Sequence, residues 1–269
     1  MKTRVISAVV MLVLVFGCFL ISPYTRTLLL LAICIMSIWE TCRVIKAKDV
    51  STAPAVLYVY SVAVCALILF NKADEVYLTA LFFLAVFAIT FAGIIKKELR
   101  GPGALATLAV LAYPVFPIVL IMRLTALPGN TWIPVFAIGC VSTWICDSFA
   151  LFGGKRFGKR HIVPEVSPHK TLAGFICGAI SAAVAGVGLY FALRGSFPAV
   201  TLPCCVITAF VASSFGQVGD LAASLIKRMS GFKDYSHLIP GHGGVMDRVD
   251  SLLFSVPAAY FCLYIAGLY

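Results

Sequence analysis

Residues 76–95 read VYLTALFFLAVFAITFAGII, a run without a single charged side chain. A helix of about 20 apolar residues is long enough to cross the hydrocarbon core of a bilayer. The 269-residue chain shares this character, since it is 61% hydrophobic and 12% charged with a mean hydropathy of +1.03. Soluble domains are roughly half apolar and a quarter charged. The sequence therefore predicts that lipid surrounds most of the fold.

Nine mostly apolar segments of about this length follow one another along the chain. They cover residues 5–22, 27–42, 54–71, 76–95, 103–122, 132–152, 172–192, 199–221 and 251–268. Glu40 and Arg43 end the second segment early, and Pro114 and Pro117 are expected to kink the fifth. We predict an all-α polytopic membrane protein that forms one membrane domain over residues 1–269. Residues 1–130 supply N-terminal helices, and residues 131–269 supply catalytic helices and two cytoplasmic loops.

The Lys and Arg residues are concentrated in every second connection between the segments. Of the 21 Lys and Arg residues, 17 lie in the N-terminal tail or after segments 2, 4, 6 and 8, and 4 lie after the others. Short basic loops stay in the cytoplasm, so the N-terminus is predicted inside and the C-terminus outside. The net charge of +10 thus reports topology, and no nucleic-acid partner is expected. The first segment lacks a clear cleavage site and is interpreted as a retained helix. The short N-terminus favours a bacterial inner (cytoplasmic) membrane.

The ten cysteines lie almost entirely within apolar segments, and no two form a CxxC pair. Cysteine in such surroundings acts as a small apolar residue. We therefore predict packing roles for the cysteines, without a disulfide framework or a zinc site.

A long polar interruption separates the last two segments. Residues 224–250 read SLIKRMSGFKDYSHLIPGHGGVMDRVD, with four basic residues, three acidic residues, two histidines and four glycines. Lys227 and Arg228 suit a helix C-terminus, whereas residues 240–244 must turn tightly and expose backbone amides. Asp247 and Asp250 are spaced three apart, which places them on one face of the last helix. Two carboxylates beside glycines and cations favour a magnesium site that also binds phosphate.

Two further acids lie at depth in the apolar segments. Asp147 falls near the cytoplasmic end of segment 6 and Asp220 near that of segment 8. Such carboxylates usually face the bundle interior or a wet cavity, although Asp147 could instead pair with Lys155 or Arg156. Carboxylates for metal and cations for phosphate at one membrane face indicate phosphoryl or nucleotidyl transfer.

The polar loop after segment 6 is the second long interruption. Residues 153–160 read GGKRFGKR, whose glycines and cations could approach phosphate; a positive-inside anchor would have the same composition. Ser167-Pro168 before Lys170-Thr171 also matches an ordinary helix start.

The polar segments together resemble the signature of the phosphatidate cytidylyltransferases, also called CDP-diacylglycerol synthases. The resemblance is carried by Ser224-x-x-Lys227-Arg228, Lys233-Asp234 and Pro240-x-His242-Gly243-Gly244-x-x-Asp247-Arg248-x-Asp250. Further similar blocks are Asp147, the basic glycine loop, Ser167-Pro168-x-Lys170-Thr171-x-x-Gly174 and Gly219-Asp220-Leu221. The chain departs from the family at Ala173, where an acid is common, and at His169, where a lysine is frequent.

The resemblance implies that CTP reacts with phosphatidic acid to give CDP-diacylglycerol and pyrophosphate, with Mg²⁺ as cofactor and membrane lipid as surroundings. A second divalent or a monovalent ion and a homodimer are further implications. The metal ligands would be Asp220 and Asp247, with Asp147 or Asp250 as additional candidates. The phosphate contacts would be Lys227, Arg228, Lys233 and Arg248. Substrate would also be bound by Ser167, Lys170, Thr171, His242, Gly243 and Gly244.

Two other functions are compatible with parts of this pattern. A CTP-dependent lipid kinase would use the same charges but would transfer the γ-phosphate and release CDP. A transporter could also carry acids in its helices, but transporters place them near the midplane in paired repeats. Here the acids cluster at one face and no repeat is seen, so nucleotidyl transfer is favoured.

Overall fold

The computed structural model of the chain describes residues 2–127 and 129–269, and they form helices joined by short connections. The helices are α1 Lys2–Ile21, α2 Pro23–Lys46, α3 Pro54–Leu69, α4 Glu75–Ile95, α5 Pro102–Val110, α6 Phe116–Thr125, α7 Trp132–Phe157, α8 Leu172–Leu193, α9 Leu202–Met229, α10 Met246–Val249 and α11 Leu252–Ile265. In this described part, β-structure is limited to two isolated bridges, His161 with Thr171 and Ile239 with Gly243. The all-α prediction is confirmed.

Within residues 2–127 and 129–269, seven helical segments are long and apolar enough to cross a membrane. They are Pro23–Lys46, Glu75–Ile95, Pro102–Thr125, Trp132–Phe157, Leu172–Leu193, Leu202–Met229 and Met246–Ile265, and the shorter apolar helices are Ile6–Ile21 and Pro54–Leu69. On α4, Phe83, Leu84 and Phe87 are each more than 60% exposed. Water would penalise that surface by about 25 cal/mol per Å², whereas lipid does not. The chain is an integral membrane protein, and nine spans with the N-terminus inside stay a prediction.

The chain forms two compact units, of which the first comprises Met1–Leu127 and Ile226–Arg248. Helix α2 packs on α1, α3 and α6, and its Cys34, Ile38 and Val44 are fully buried. The predicted early end of this segment is wrong, because α2 continues past Glu40 to Lys46. Burial with hydrogen-bonding partners, described below, lets the helix retain that acid.

The predicted kink in the fifth segment is confirmed. Helix α5 ends at Val110 and α6 begins at Phe116, and between them Tyr113 has φ −153° and ψ 112°, outside the helical range. Pro114 follows directly, and a proline disfavours helical backbone in the residue before it.

The second unit comprises Pro128–Leu225 and Val249–Tyr269, with α7 packed on α8 and α11. Helix α7 runs to Phe157, so the first half of the predicted glycine loop is helical. A Cβ on Gly153 would lie 2.5 Å from Cys177 Cβ, and a Cβ on Gly178 would lie 2.7 Å from Cys146 Sγ. These glycines therefore allow close helix contact, as is common between membrane helices. All ten cysteines are free, which agrees with their predicted packing roles.

A matched pair of glycines on α8 tests this contact. A Cβ on Gly178 would meet Cys146 Sγ at 2.7 Å and Cys146 O at 2.9 Å, whereas one on Gly188 would meet nothing within 4 Å. We expect Gly178→Ala to destabilise the protein by about 1–3 kcal/mol. Gly188→Ala should be neutral or slightly stabilising, because alanine favours helix by about 1 kcal/mol. Thermal unfolding in detergent measures both, and equal Tm values for the two variants would contradict close packing at Gly178.

Candidate active site

The second unit contains a cavity of about 310 Å³ with both polar and apolar side chains in its lining, here called the Asp220 cavity. Predicted site residues contribute much of its lining, namely Asp147, Ser167, Lys170, Thr171 and Asp220, joined by His169 and Gln217. These residues come from α7, α8, α9 and the connection before α8. The structure thus brings together the predicted residues of this half of the site.

Lys170 and Asp220 form an ion pair in this cavity. Lys170 Nζ lies 2.5 Å from Asp220 Oδ2, and the two side chains are 27% and 32% exposed. The same Nζ donates to Gln217 O at 3.4 Å. Because the pair remains open to the cavity, an anionic substrate or a cation can compete for either partner.

The connection that carries Lys170 is held at both ends. Ile162 N donates to Lys170 O at 3.0 Å, and Leu172 N donates to Arg160 O at 2.9 Å. Thr171 is the N-cap of α8, its hydroxyl accepting from Gly174 N at 3.1 Å. The helix-start interpretation of this segment is confirmed, and it places Lys170 directly before a capped helix.

Asp147 and Asp220 are the carboxylates of the Asp220 cavity that could hold a divalent cation. Asp147 from α7 and Asp220 from α9 line the same cavity, and Mg²⁺ is usually bound by one or two carboxylates together with water and substrate phosphates. Across residues 2–127 and 129–269, no group of three or more His, Cys, Asp or Glu is arranged to hold a metal ion.

The first unit contains a polar cavity of about 480 Å³, here called the loop cavity. Its lining includes the predicted residues Lys233, His242, Gly243 and Arg248, together with Asp234 and His237. Three of the four predicted residues can donate hydrogen bonds from their side chains to phosphate oxygens. This half of the predicted site is also brought together.

The glycine-rich segment turns tightly, as predicted. Ile239 N donates to Gly243 O at 2.8 Å, and His242 N donates to Ile239 O at 2.9 Å. Gly241 has φ +77° and Gly243 has φ +83°, a region that side chains with a Cβ rarely adopt. Glycine is therefore required at both positions.

Asp247 organises the residues behind this turn. Its Oδ1 accepts from Lys227 Nζ at 2.7 Å, and its Oδ2 accepts from Tyr235 N at 2.9 Å and Gly244 N at 3.0 Å. The Lys227 and Asp247 side chains are only 11% and 4% exposed. Both oxygens thus face N–H donors, a set that binds a carboxylate tightly and that a metal ion would have to displace.

The remaining predicted residues have local partners. Arg228, in the last turn of α9 as predicted, donates from Nη1 to Phe232 O at 3.2 Å. Asp250 Oδ1 accepts from Ser251 N at 2.7 Å, and Asp250 is 8% exposed. Because α10 ends at Val249 and α11 begins at Leu252, Asp250 lies between two helices rather than in the first turn of one.

Glu40 is not among the residues that the motifs predict, although it contacts the predicted loop. Its carboxylate accepts from Ser236 Oγ at 2.5 Å, Val245 N at 2.9 Å and Met246 N at 2.7 Å. The available signal was the one acidic residue of an apolar helix, since an ionisable residue within a membrane segment indicates function by default.

Comparisons with known proteins identify the family of the chain. A family model described as the cytidylyltransferase family matches residues 2–266. A phosphatidate cytidylyltransferase of Haemophilus influenzae is 31% identical over 98% of this chain and 99% of its own length. One from Bacillus subtilis is 45% identical, over 46% of this chain and 45% of the relative. One from Aquifex aeolicus is 35% identical, over 57% of this chain and 54% of the relative. The last two alignments span about half of those relatives.

Proposed function

Since the chain belongs to the cytidylyltransferase family, we propose that it transfers the cytidylyl group of CTP to phosphatidic acid. The products are CDP-diacylglycerol and pyrophosphate, an early step of phospholipid synthesis. One observation carries this proposal: the similarity to the Haemophilus influenzae phosphatidate cytidylyltransferase extends over 98% of the chain and 99% of the relative. The acidic and basic side chains in the lining of the two cavities support it.

The proposed reaction is an in-line displacement. An oxygen of the lipid phosphate attacks the α-phosphorus of CTP, and the bond from that phosphorus to the bridging oxygen of the β-phosphate breaks. Pyrophosphate leaves with the electron pair. The attacking oxygen is already anionic near neutral pH, so a strong general base is not needed. The protein must chiefly reduce repulsion between two anions and stabilise the leaving group.

The cationic residues are suited to that task. Lys233, His242 and Arg248 line the loop cavity beside Gly243, and we assign this set to the triphosphate, with Gly244 shaping the turn. Lys227 and Arg228 remain candidate phosphate ligands. Lys170, Ser167 and Thr171 line the Asp220 cavity, where Lys170 can exchange its bond with Asp220 for one with a phosphate oxygen.

Magnesium is the proposed cofactor. Asp220 and Asp147 would hold it in the Asp220 cavity, where both carboxylates contribute to the lining. Asp250 stays a candidate ligand for this ion, and Asp247 for a second, divalent or monovalent, ion. Bound magnesium supplies positive charge against the phosphates during transfer.

The proposed location follows from charge and substrate chemistry. CTP is a soluble polyanion of the cytosol, and most of the basic residues lie in connections predicted to be cytoplasmic. We therefore place the reaction at the cytoplasmic face of a bacterial inner membrane, and we propose a homodimer as the functional assembly.

A product assay tests the proposed function. Purified protein is incubated with phosphatidic acid, magnesium and CTP labelled in either the α- or the γ-phosphate. Label from the α-phosphate should enter the lipid fraction, while γ-label should leave as pyrophosphate. Transfer of γ-label to the lipid together with release of CDP would establish a lipid kinase instead. If the lipid stays unlabelled with both the α-labelled and the γ-labelled CTP, neither transfer reaction takes place and both functions are rejected.

A further inference from the structure

Glu40 is a fully buried carboxylate that lines neither of the two cavities, yet it contacts the segment that lines the loop cavity. It lies on α2, with an exposed fraction of 0%. Its three partners, Ser236, Val245 and Met246, are 196 to 206 residues away along the chain. We propose that Glu40 is a positioning residue for cytidylyl transfer, which holds the segment between Ser236 and Met246 in its active conformation. This inference rests on the proposed function.

The three partners bracket five of the eight residues that line the loop cavity. Ser236 precedes His237, and Val245 directly follows the glycine turn that carries His242 and Gly243. Because one carboxylate accepts hydrogen bonds from both ends of this segment, it holds Ser236 close to Val245 and Met246. Asp247 and Arg248 come immediately after Met246, so the same bonds also determine where those two side chains begin.

The close approach of the carboxylate explains another glycine of the motif. Gly244 has no positive φ that would demand glycine. A Cβ at this position, however, would lie 2.5 Å from Glu40 Oε1 and 2.8 Å from Oε2. Glycine at 244 is therefore needed because Glu40 occupies the space, and the two positions form one structural unit.

The chemistry of the contact requires a carboxylate. Oε1 accepts from Ser236 Oγ and Val245 N, and Oε2 accepts from Met246 N. An ionised carboxylate only accepts hydrogen bonds, whereas the glutamine amide has one accepting oxygen and one donating nitrogen. In Glu40→Gln the NH₂ group must face at least one N–H donor, and a buried donor without an acceptor is destabilising. The segment should then move away.

A second contact reaches the same turn from α1. Ser7 Oγ donates to Pro240 O at 3.0 Å and lies 2.9 Å from His242 Nδ1. The N-terminal helices, which carry none of the motif residues, thus hold the turn at its tip and at its base. Glu40 is the stronger of the two contacts, because it is buried and accepts three bonds.

Two readouts on Glu40→Gln test the proposal, with Glu75→Gln as the matched control because Glu75 is exposed in the first turn of α4. Hydrogen–deuterium exchange of a peptide covering residues 236–246 reports the Val245 and Met246 amides directly. These amides should be protected in the unmodified protein and in Glu75→Gln, and should exchange faster in Glu40→Gln. The kcat/KM for CTP should fall by about 100-fold, the scale of a small misplacement of reacting groups.

A purely structural role would give a different pattern. It predicts that activity falls in proportion to the folded fraction, so kcat/KM is normalised to monodisperse protein and Tm is recorded. Ser236→Ala removes one of the three donors and should lower kcat/KM about fivefold, in the same direction. Unchanged exchange of 236–246 in Glu40→Gln, or unchanged normalised kcat/KM, would overturn the proposal. If the unmodified protein forms no CDP-diacylglycerol, the proposed function fails, whereas faster exchange in Glu40→Gln would still establish the hold on the segment.

Discussion

The Asp247→Asn variant is expected to lose nearly all formation of CDP-diacylglycerol while still inserting into the membrane. Asp247 accepts from Lys227 on one oxygen and from two backbone amides on the other. An asparagine side chain has one accepting oxygen, so it can accept either from Lys227 or from the two backbone amides. The two amides together should hold that oxygen on their side. Lys227 would then be a buried cation without its partner.

The size of the effect follows from that burial. Removing one partner of a buried ion pair costs about 3–5 kcal/mol, and each 1.36 kcal/mol corresponds to a factor of about ten in rate. If that free energy is lost from the active conformation, turnover falls by roughly two to four orders of magnitude. Incorporation of α-labelled CTP into lipid measures it. Asp74→Asn is the control, because Asp74 is exposed and its side chain makes no cap hydrogen bond at α4.

A double variant separates the structural part of this role from the chemical part. In Lys227→Met/Asp247→Asn the unpaired cation is gone, and the asparagine oxygen can still accept from Tyr235 N and Gly244 N. We expect Tm to recover towards that of the unmodified protein, while turnover stays low because a proposed phosphate ligand is missing. A Tm as low as that of Asp247→Asn would show that the ion pair is not the source of the loss.

The Asp220→Asn and Lys170→Met variants should each lose about 100- to 1000-fold in turnover, the range found when one group that stabilises transition-state charge is removed. Here the protein should keep its stability. The pair is about one-third exposed, and exposed ion pairs contribute only ~0–1 kcal/mol. A loss of activity without a loss of Tm is thus the expected signature of the Asp220 cavity, in contrast to Asp247.

The two variants should differ in their response to magnesium. Asp220→Asn removes a proposed metal ligand, so its residual activity should require more magnesium. Lys170→Met keeps both carboxylates and removes the cation that competes for Asp220, so its residual activity should require no more magnesium while KM for CTP rises. Lys72→Met, at an exposed position outside both cavities, is the control. Normal turnover of either variant at saturating substrate would remove that residue from the proposed site.

Much of the site can be predicted because its chemistry is concentrated in short segments. The turn at 240–244 needs glycine at positions with positive φ, and the glycines and proline of the motif indicate such a turn from the sequence alone. Asp147, Lys170 and Asp220 each interrupt or border an apolar segment, so their polarity alone indicates a shared wet cavity. The structure lines one cavity with all three.

The roles of the individual acids could not be predicted in the same way. Asp247 and Asp220 look equivalent as acids beside cations. In the structure, Asp247 is nearly buried and bonded to three donors, whereas Asp220 is about a third exposed and paired with one lysine. Burial and donor count depend on packing, which local sequence spacing does not encode.

Composition and periodicity were sufficient for the class of the protein, because twenty apolar residues without a charge have only one stable environment. The same patterns predict that Glu40 and Arg43 end the second segment early and that Gly153 belongs to a polar loop, whereas Glu40 and Gly153 both lie within helices that continue past them. Each residue is explained by a contact with another part of the chain: Glu40 by Val245 and Met246, and Gly153 by Cys177. The free energy of a buried carboxylate or of a close helix contact depends on the partner that folding brings to it. Such partners are separated by tens to hundreds of residues, so tertiary packing alone reveals them.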